Sequence, residues 1–187
     1  MAATGLQYRR GARKARIAAI ALTAGLALAA CREAACPAPD LALLGDGQKA
    51  ALAAFLEARP ELRVPDESEC GCAQDLDDMR RHGSGGWPQP DYQPYLAVGD
   101  FNGDGEKDFA VVVVDASGGA RVAIFNGPFP RYSPATPAGL FRFEFRKFTA
   151  LFIEKDNGRL LLGQFGTEGC VYVPAGPAYE EQCTDED

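Results

Sequence analysis

Oxygen-bearing side chains recur at every second position in Asp100-Phe101-Asn102-Gly103-Asp104-Gly105-Glu106-Lys107-Asp108. With Asp100 as loop position 1, Asn102 and Asp104 fall at positions 3 and 5 and Asp108 at position 9. Gly105 stands at position 6, where a chain wrapping a small hard cation bends most sharply. This is the ligand spacing of a Ca²⁺ loop, with the Glu106 backbone carbonyl as the position-7 ligand. Three carboxylates this close repel one another strongly unless a cation lies between them. The bland alternative is a tight Asn/Asp/Gly turn joining two strands, with no metal. Such a turn does not call for an acid at every second position.

The loop is not an EF-hand. That motif places a bidentate Glu at position 12 between two helices, whereas position 12 here is Val111. The four valines 111–114 form a β-branched apolar run that reads as a buried strand, so the loop is expected between strands. Over residues 95–126 the chain resembles the D-x-[DN]-x-D-G-x-x-D loops of the FG-GAP and VCBS repeat families, most closely in YLAVGDFNGDGEKDFAVVVV. The resemblance implies Ca²⁺ held by Asp100, Asn102, Asp104 and Asp108. Repeat propellers string several such units together. This chain has one, so a propeller is not implied.

At the N-terminus, Arg9, Arg10, Arg13, Lys14 and Arg16 precede an apolar run over residues 17–30. That is the pattern of a signal peptide, too short and too rich in small residues for a stable membrane span. It ends Leu28-Ala29-Ala30-Cys31, which resembles the bacterial lipobox, where cleavage precedes a cysteine whose sulfur is lipidated. The alternative is ordinary signal-peptidase cleavage with Cys31 as a structural cysteine. The whole chain resembles bacterial envelope lipoproteins carrying a single calcium-loop unit. That resemblance implies the cell envelope, with Arg32 after the anchor favouring the outer membrane where the host has one.

The chain divides into a signal peptide (1–30), a lipid anchor and Pro/Ala-containing tether (31–45) and one domain (46–187). The formal net charge of −7 comes from 26 acidic and 19 basic residues. It grows more negative once the basic leader is removed, which argues against nucleic acid as a partner. Export places the cysteines in an oxidising compartment. Cys170 with Cys183 would staple the last hairpin, and a ring of that size stabilises by about 3 kcal/mol. Cys70 and Cys72 read as too close to pair with each other, so each faces a different partner, such as the C-terminal pair, or one stays free. A C-x-C metal site is the sharper alternative.

Asp46 is positioned to cap a helix over residues 48–58 with Leu52, Phe55 and Leu56 on one face, ended by Pro60. A second helix is expected over residues 73–81, with Leu76 and Met79 inward. From Tyr95 onward the pattern is of strands. Residues 110–115 and 121–125 form a hairpin about Ser117-Gly118-Gly119. Phe141, Phe143 and Phe145 alternate with charged residues, Asp156-Asn157-Gly158 marks another hairpin, and the last pair turns about Gly176-Pro177. These elements make an α+β fold: a mostly antiparallel sheet, the valine strand central, with one or two N-terminal helices packed on it.

His82 and Ser84 lie close in sequence, but no G-x-S-x-G elbow or triad accompanies them. Trp87, Tyr92 and Tyr95 read as an aromatic cover on the sheet, or alternatively as a sugar- or peptide-binding platform. The expected function is a Ca²⁺-stabilised envelope module that binds a protein or glycan partner without catalysis. The alternative is an envelope hydrolase in which Ca²⁺ is structural or catalytic. The anchor is directly testable. The mature protein is expected to begin at a lipid-bearing Cys31 and to sediment with membranes, and Cys31→Ser to release it; a soluble wild type without added acyl mass contradicts this.

Overall fold

Phe109, Ala110, Val111, Val112 and Val113 are all fully buried. A strand alternates its side chains between two faces, so five consecutive buried residues require cover on both. This strand, Asp108–Asp115, is β3, and it also has neighbours along both edges. The computed structural model describes residues 41–83, 87–130, 136–153, 158–165 and 169–183. These fall within one compact unit, Cys36–Asp187. The signal peptide, Cys31, Ser84, the turn residues Asp156 and Asn157 and the tail from Thr184 lie outside the described residues.

On one edge β3 pairs with β4 (Gly119–Phe125), which pairs in turn with β5 (Gly139–Glu144). On the other edge two short strands share it. β1 (Leu62–Arg63) meets the C-terminal end of β3, and β2 (Leu96–Gly99) meets the N-terminal end. A second sheet is the meander β6 (Thr149–Ile153), β7 (Leu160–Gln164), β8 (Cys170–Ala175) and β9 (Ala178–Cys183). Every pairing is antiparallel. With two N-terminal helices, the fold is α+β and mostly antiparallel sheet, and β3 is an interior strand as its composition predicts.

The single sheet expected from the sequence is two. Between β5 and β6, Phe148 takes a left-handed φ of 65°, a conformation non-glycine residues rarely adopt. Its N–H donates to the Cys70 carbonyl at 2.8 Å and its own carbonyl accepts from Phe165 N–H at 3.1 Å. The β5 ladder ends at Glu144 opposite Gly119, where β4 begins, and after the turn at Phe148 the chain pairs with β7 as β6 of a new sheet. The two sheets are joined where Leu151 N–H donates to Pro94 O at 2.7 Å, Tyr92 Oη donates to Leu151 O at 2.8 Å and the Phe141 and Tyr172 rings approach to 4.8 Å.

Helix α1 spans Asp46–Glu57 and buries Gln48, Ala51, Leu52 and Phe55. Its N-cap is Gly45 rather than Asp46: Gly45 is extended, and its N–H is held by Gln48 Oε1 at 2.9 Å. Asp46 sits instead in the first turn, where negative charge favours the helix dipole. Helix α2 spans Ala73–Arg81 with Leu76 and Met79 buried, following a 3₁₀ turn at Glu67–Cys70. No described helix is long and apolar enough to cross a membrane. The expected aromatic cover holds for Tyr92 and Tyr95, which are buried, but not for Trp87, which is 37 % exposed. Tyr92 packs with Phe152 and Phe165 instead.

Beneath the loop, Phe125 stacks on Phe109 at 4.5 Å and meets Phe55 of α1 edge-on at 5.3 Å. Truncating a buried ring at such a centre removes both its transfer energy and its packing. Phe125→Ala should therefore lower the unfolding free energy by about 3–5 kcal/mol, read as a denaturant midpoint shift at unchanged m-value. A loss under about 1 kcal/mol would show that this cluster is not the centre of the core.

Candidate functional site

The register Gly99↔Asp108 closes the β2–β3 hairpin and leaves residues 100–107 as its connection. The predicted ligands thus fall where the sequence places them, on a strand–loop–strand. The loop curls around Asp100. Its Oδ1 accepts from Gly103 N–H at 2.8 Å and Asp104 N–H at 3.1 Å, and its Oδ2 accepts from Gly105 N–H at 2.9 Å. Gly103 and Gly105 have φ of 77° and 89°, which glycine adopts at no steric cost.

Asn102 Oδ1 accepts from Asp104 N–H at 2.9 Å, its Nδ2 donates to Asp104 Oδ2 at 2.9 Å, and Asp104 Oδ1 accepts from Glu106 N–H at 2.8 Å. Asp100, Asp104 and Glu106 are exposed, whereas Phe101 is buried and pins the loop to the core.

Asp108 differs from the other acids. It is fully buried, its Oδ2 accepts from Phe101 N–H at 2.8 Å, and its Oδ1 accepts from Gly127 N–H at 2.9 Å. Burial pushes its carboxyl above the usual carboxylate range, the backbone donors pull it down, and the charge of Asp104 pushes it up again. Gln48 Nε2 of α1 donates to the Lys107 and Asp108 carbonyls at 3.4 Å each. Among the described residues, none of the ion pairs includes Asp100, Asp104 or Asp108. A buried carboxylate ordinarily takes a cationic partner, coordinates a metal or becomes neutral. The donors here are all oxygen, the set that hard cations select.

The loop's side chains are engaged mainly by its own backbone. Among the described residues, the one trio of His, Cys, Asp or Glu ligand atoms mutually within 4.8 Å is Cys170, Glu181 and Cys183. The oxygens of Asp100, Asp104 and Asp108 do not converge that closely. The trio that does is no metal centre, because its two sulfurs share a disulfide and neither is a thiolate. A carboxylate offers about four lone-pair sites, so Asp104, with one hydrogen bond to each oxygen, keeps acceptor capacity.

Gln48, Asn126, Gly127 and Tyr179 belong to the site's surroundings and were not readable from spacing. Gly127 lies 19 residues from the carboxylate it serves and Gln48 lies 60 from the carbonyl it serves, and no local pattern marks either.

Cys170 pairs with Cys183 as expected, facing each other across the β8–β9 ladder with Cα atoms 4.0 Å apart. Cys70 and Cys72 differ from expectation, for they pair with each other. Gly71 between them takes φ 66° and ψ 18° as the C-cap of the 3₁₀ turn. That bend sets the Cα atoms 5.2 Å apart, within ordinary disulfide range. With both sulfurs bonded and buried, neither reaches the C-terminal pair and the C-x-C metal reading lapses.

A separate open cavity of about 220 Å³ is lined by Gln89, Asp91, Tyr92, Gln93, Leu96 and Leu151 among others. Asp91 is its single carboxylate, and His82, exposed at the end of α2, does not line it. Compared with known proteins, the chain matches no family model, no curated protein and no solved structure.

The disulfides are checked by mapping non-reduced peptides. Cys70 and Cys72 should share one peptide lacking two hydrogens, Cys170 and Cys183 should be cross-linked, and all four should resist alkylation. A cross-link from Cys70 or Cys72 to either C-terminal cysteine contradicts the arrangement.

Proposed function

We propose that this chain is an exported, lipid-anchored envelope module whose β2–β3 loop binds Ca²⁺ and which presents a surface to a protein or glycan partner. The observation that carries the calcium reading is Asp108: a fully buried carboxylate held by neutral donors, backbone N–H groups and the Tyr179 hydroxyl, with no ion-paired Lys or Arg among the described residues. A cation beside it supplies the missing positive charge. Asp100, Asn102, Asp104 and Asp108 would contribute side-chain oxygens and Glu106 its carbonyl. Asp104 is exposed, and turning its carboxylate inward is the adjustment that binding requires.

Export and anchoring are supported by the basic and apolar leader ending at Cys31. A binding role is favoured over hydrolysis because acid–base chemistry needs a convergent pair, and the described cavity carries one carboxylate. The cation's part in such a module is structural: it neutralises the acids and fixes the connection between the interior strand and β2.

Binding to the folded state alone raises stability by RT ln(1 + [L]/Kd). Extracellular sites bind at roughly 10⁻⁴ to 10⁻³ M, so millimolar Ca²⁺ should add on the order of 1 kcal/mol, a melting shift of a few degrees. Asp104→Ala should abolish the shift while the apo protein stays folded. Mg²⁺ should mimic Ca²⁺ poorly because it dehydrates reluctantly. A melting curve unmoved by millimolar Ca²⁺, with Asp104→Ala indistinguishable from wild type, leaves the loop as a turn.

A further inference from the structure

We infer that the loop is wired to the second sheet through Asn126 and Tyr179, so that Tyr179 is a positioning residue for the cation site and cation binding tightens the junction between the sheets. This rests on the calcium reading of the loop. Two hydrogen bonds in series carry it. Asp108 Oδ1 accepts from Gly127 N–H at 2.9 Å. The residue before, Asn126, accepts through Oδ1 from the hydroxyl of Tyr179 at 2.8 Å. Tyr179 belongs to β9, in the other sheet, and is 6 % exposed. The same hydroxyl also lies within hydrogen-bonding reach of the Asp108 carboxyl, so the buried carboxylate of the first sheet and the buried phenol of the second meet directly as well as through the Asn126–Gly127 peptide.

The approach is close at two places. A Cβ on Gly127 would lie 3.0 Å from the Lys107 carbonyl and 3.1 Å from Glu106 Cβ, so the chain after β4 runs directly against the loop. On the second sheet's side, a Cβ on Gly158, in the β6–β7 connection, would lie 3.7 Å from the Asp100 carbonyl. The Tyr179 hydroxyl donates to Asn126 and so holds that side chain in one orientation.

A cation that draws on Asp108 fixes the Asn126–Gly127 peptide and, through it, Tyr179. Linkage makes the effect reciprocal: what holds Asn126 in place also favours the cation. Groups that orient metal ligands from behind typically change affinity by about 10–100-fold when removed. Tyr172 provides the internal control. It is the other buried tyrosine of this sheet, but its hydroxyl donates to Glu181 Oε1 at 3.0 Å, within the β8–β9 hairpin.

The experiment uses the mature chain with CaCl₂ as the probe, measuring Kd by calorimetry and amide hydrogen exchange with and without Ca²⁺. Tyr179→Phe should weaken Ca²⁺ binding by about tenfold, and the Ca²⁺-dependent protection of β8–β9 seen in wild type should vanish. Tyr172→Phe should keep wild-type affinity even if it melts earlier. Unchanged affinity in Tyr179→Phe, or Ca²⁺-dependent protection confined to β2–β4 in wild type, overturns the wiring while leaving the calcium site intact. No Ca²⁺ binding by wild type overturns the calcium reading and the wiring with it.

Discussion

A carboxylate sits where the interior strand of the fold begins. Asp108 is the first residue of β3 and is as inaccessible as the phenylalanine and valines that follow it. Its surroundings supply backbone N–H groups, from Phe101, Gly127 and Asn102, and the Tyr179 hydroxyl, but no ion-paired cation among the described residues. Neutral donors favour the charged form only in part, because burial in a low-dielectric interior costs several kcal/mol per ion. Everything near this residue is arranged to tolerate it. The loop folds back over it, Gln48 of α1 holds the adjoining carbonyls, and the connection after β4 passes within van der Waals reach.

The core explains why that position stays rigid. Phe109, next along β3, stacks on Phe125 and packs against Phe129, and Phe125 meets Phe55 of α1. These contacts fix the start of β3 from the helix side, while Tyr179 approaches from the second sheet. The loop is anchored on three sides at its base, and its apex, Gly103 to Glu106, is exposed. The carboxylates are thereby divided, Asp108 buried at the base and Asp100 and Asp104 exposed.

Features set by local chemistry were legible in the sequence. Helix α2 has the expected bounds because Leu76 and Met79 repeat at helical spacing and Arg80 and Arg81 close it. The β3–β4 and β8–β9 hairpins turn at the expected glycines, Gly118 and Gly176, both with positive φ, and the Cys170–Cys183 link follows from the second register. Features set by tertiary context were not. β1 is two residues long, too short for any periodicity. The division into two sheets comes with a left-handed turn at Phe148, and the Cys70–Cys72 pair with a left-handed Gly71. The loop residues of the candidate site could be named from spacing alone. Gln48, Gly127 and Tyr179, brought in from elsewhere in the chain, could not.

A bound cation that neutralises the loop around Asp108 would be visible directly. The most direct measurement is a crystal structure of the mature domain grown in millimolar CaCl₂, with anomalous difference density collected at long wavelength. One strong peak is expected at the loop, about 2.3–2.6 Å from oxygens of Asp100, Asn102, Asp104 and Asp108 and from the Glu106 carbonyl. A loop with no peak, Asp108 still bonded to Phe101 and Gly127 N–H and Asp104 turned to solvent, would contradict it.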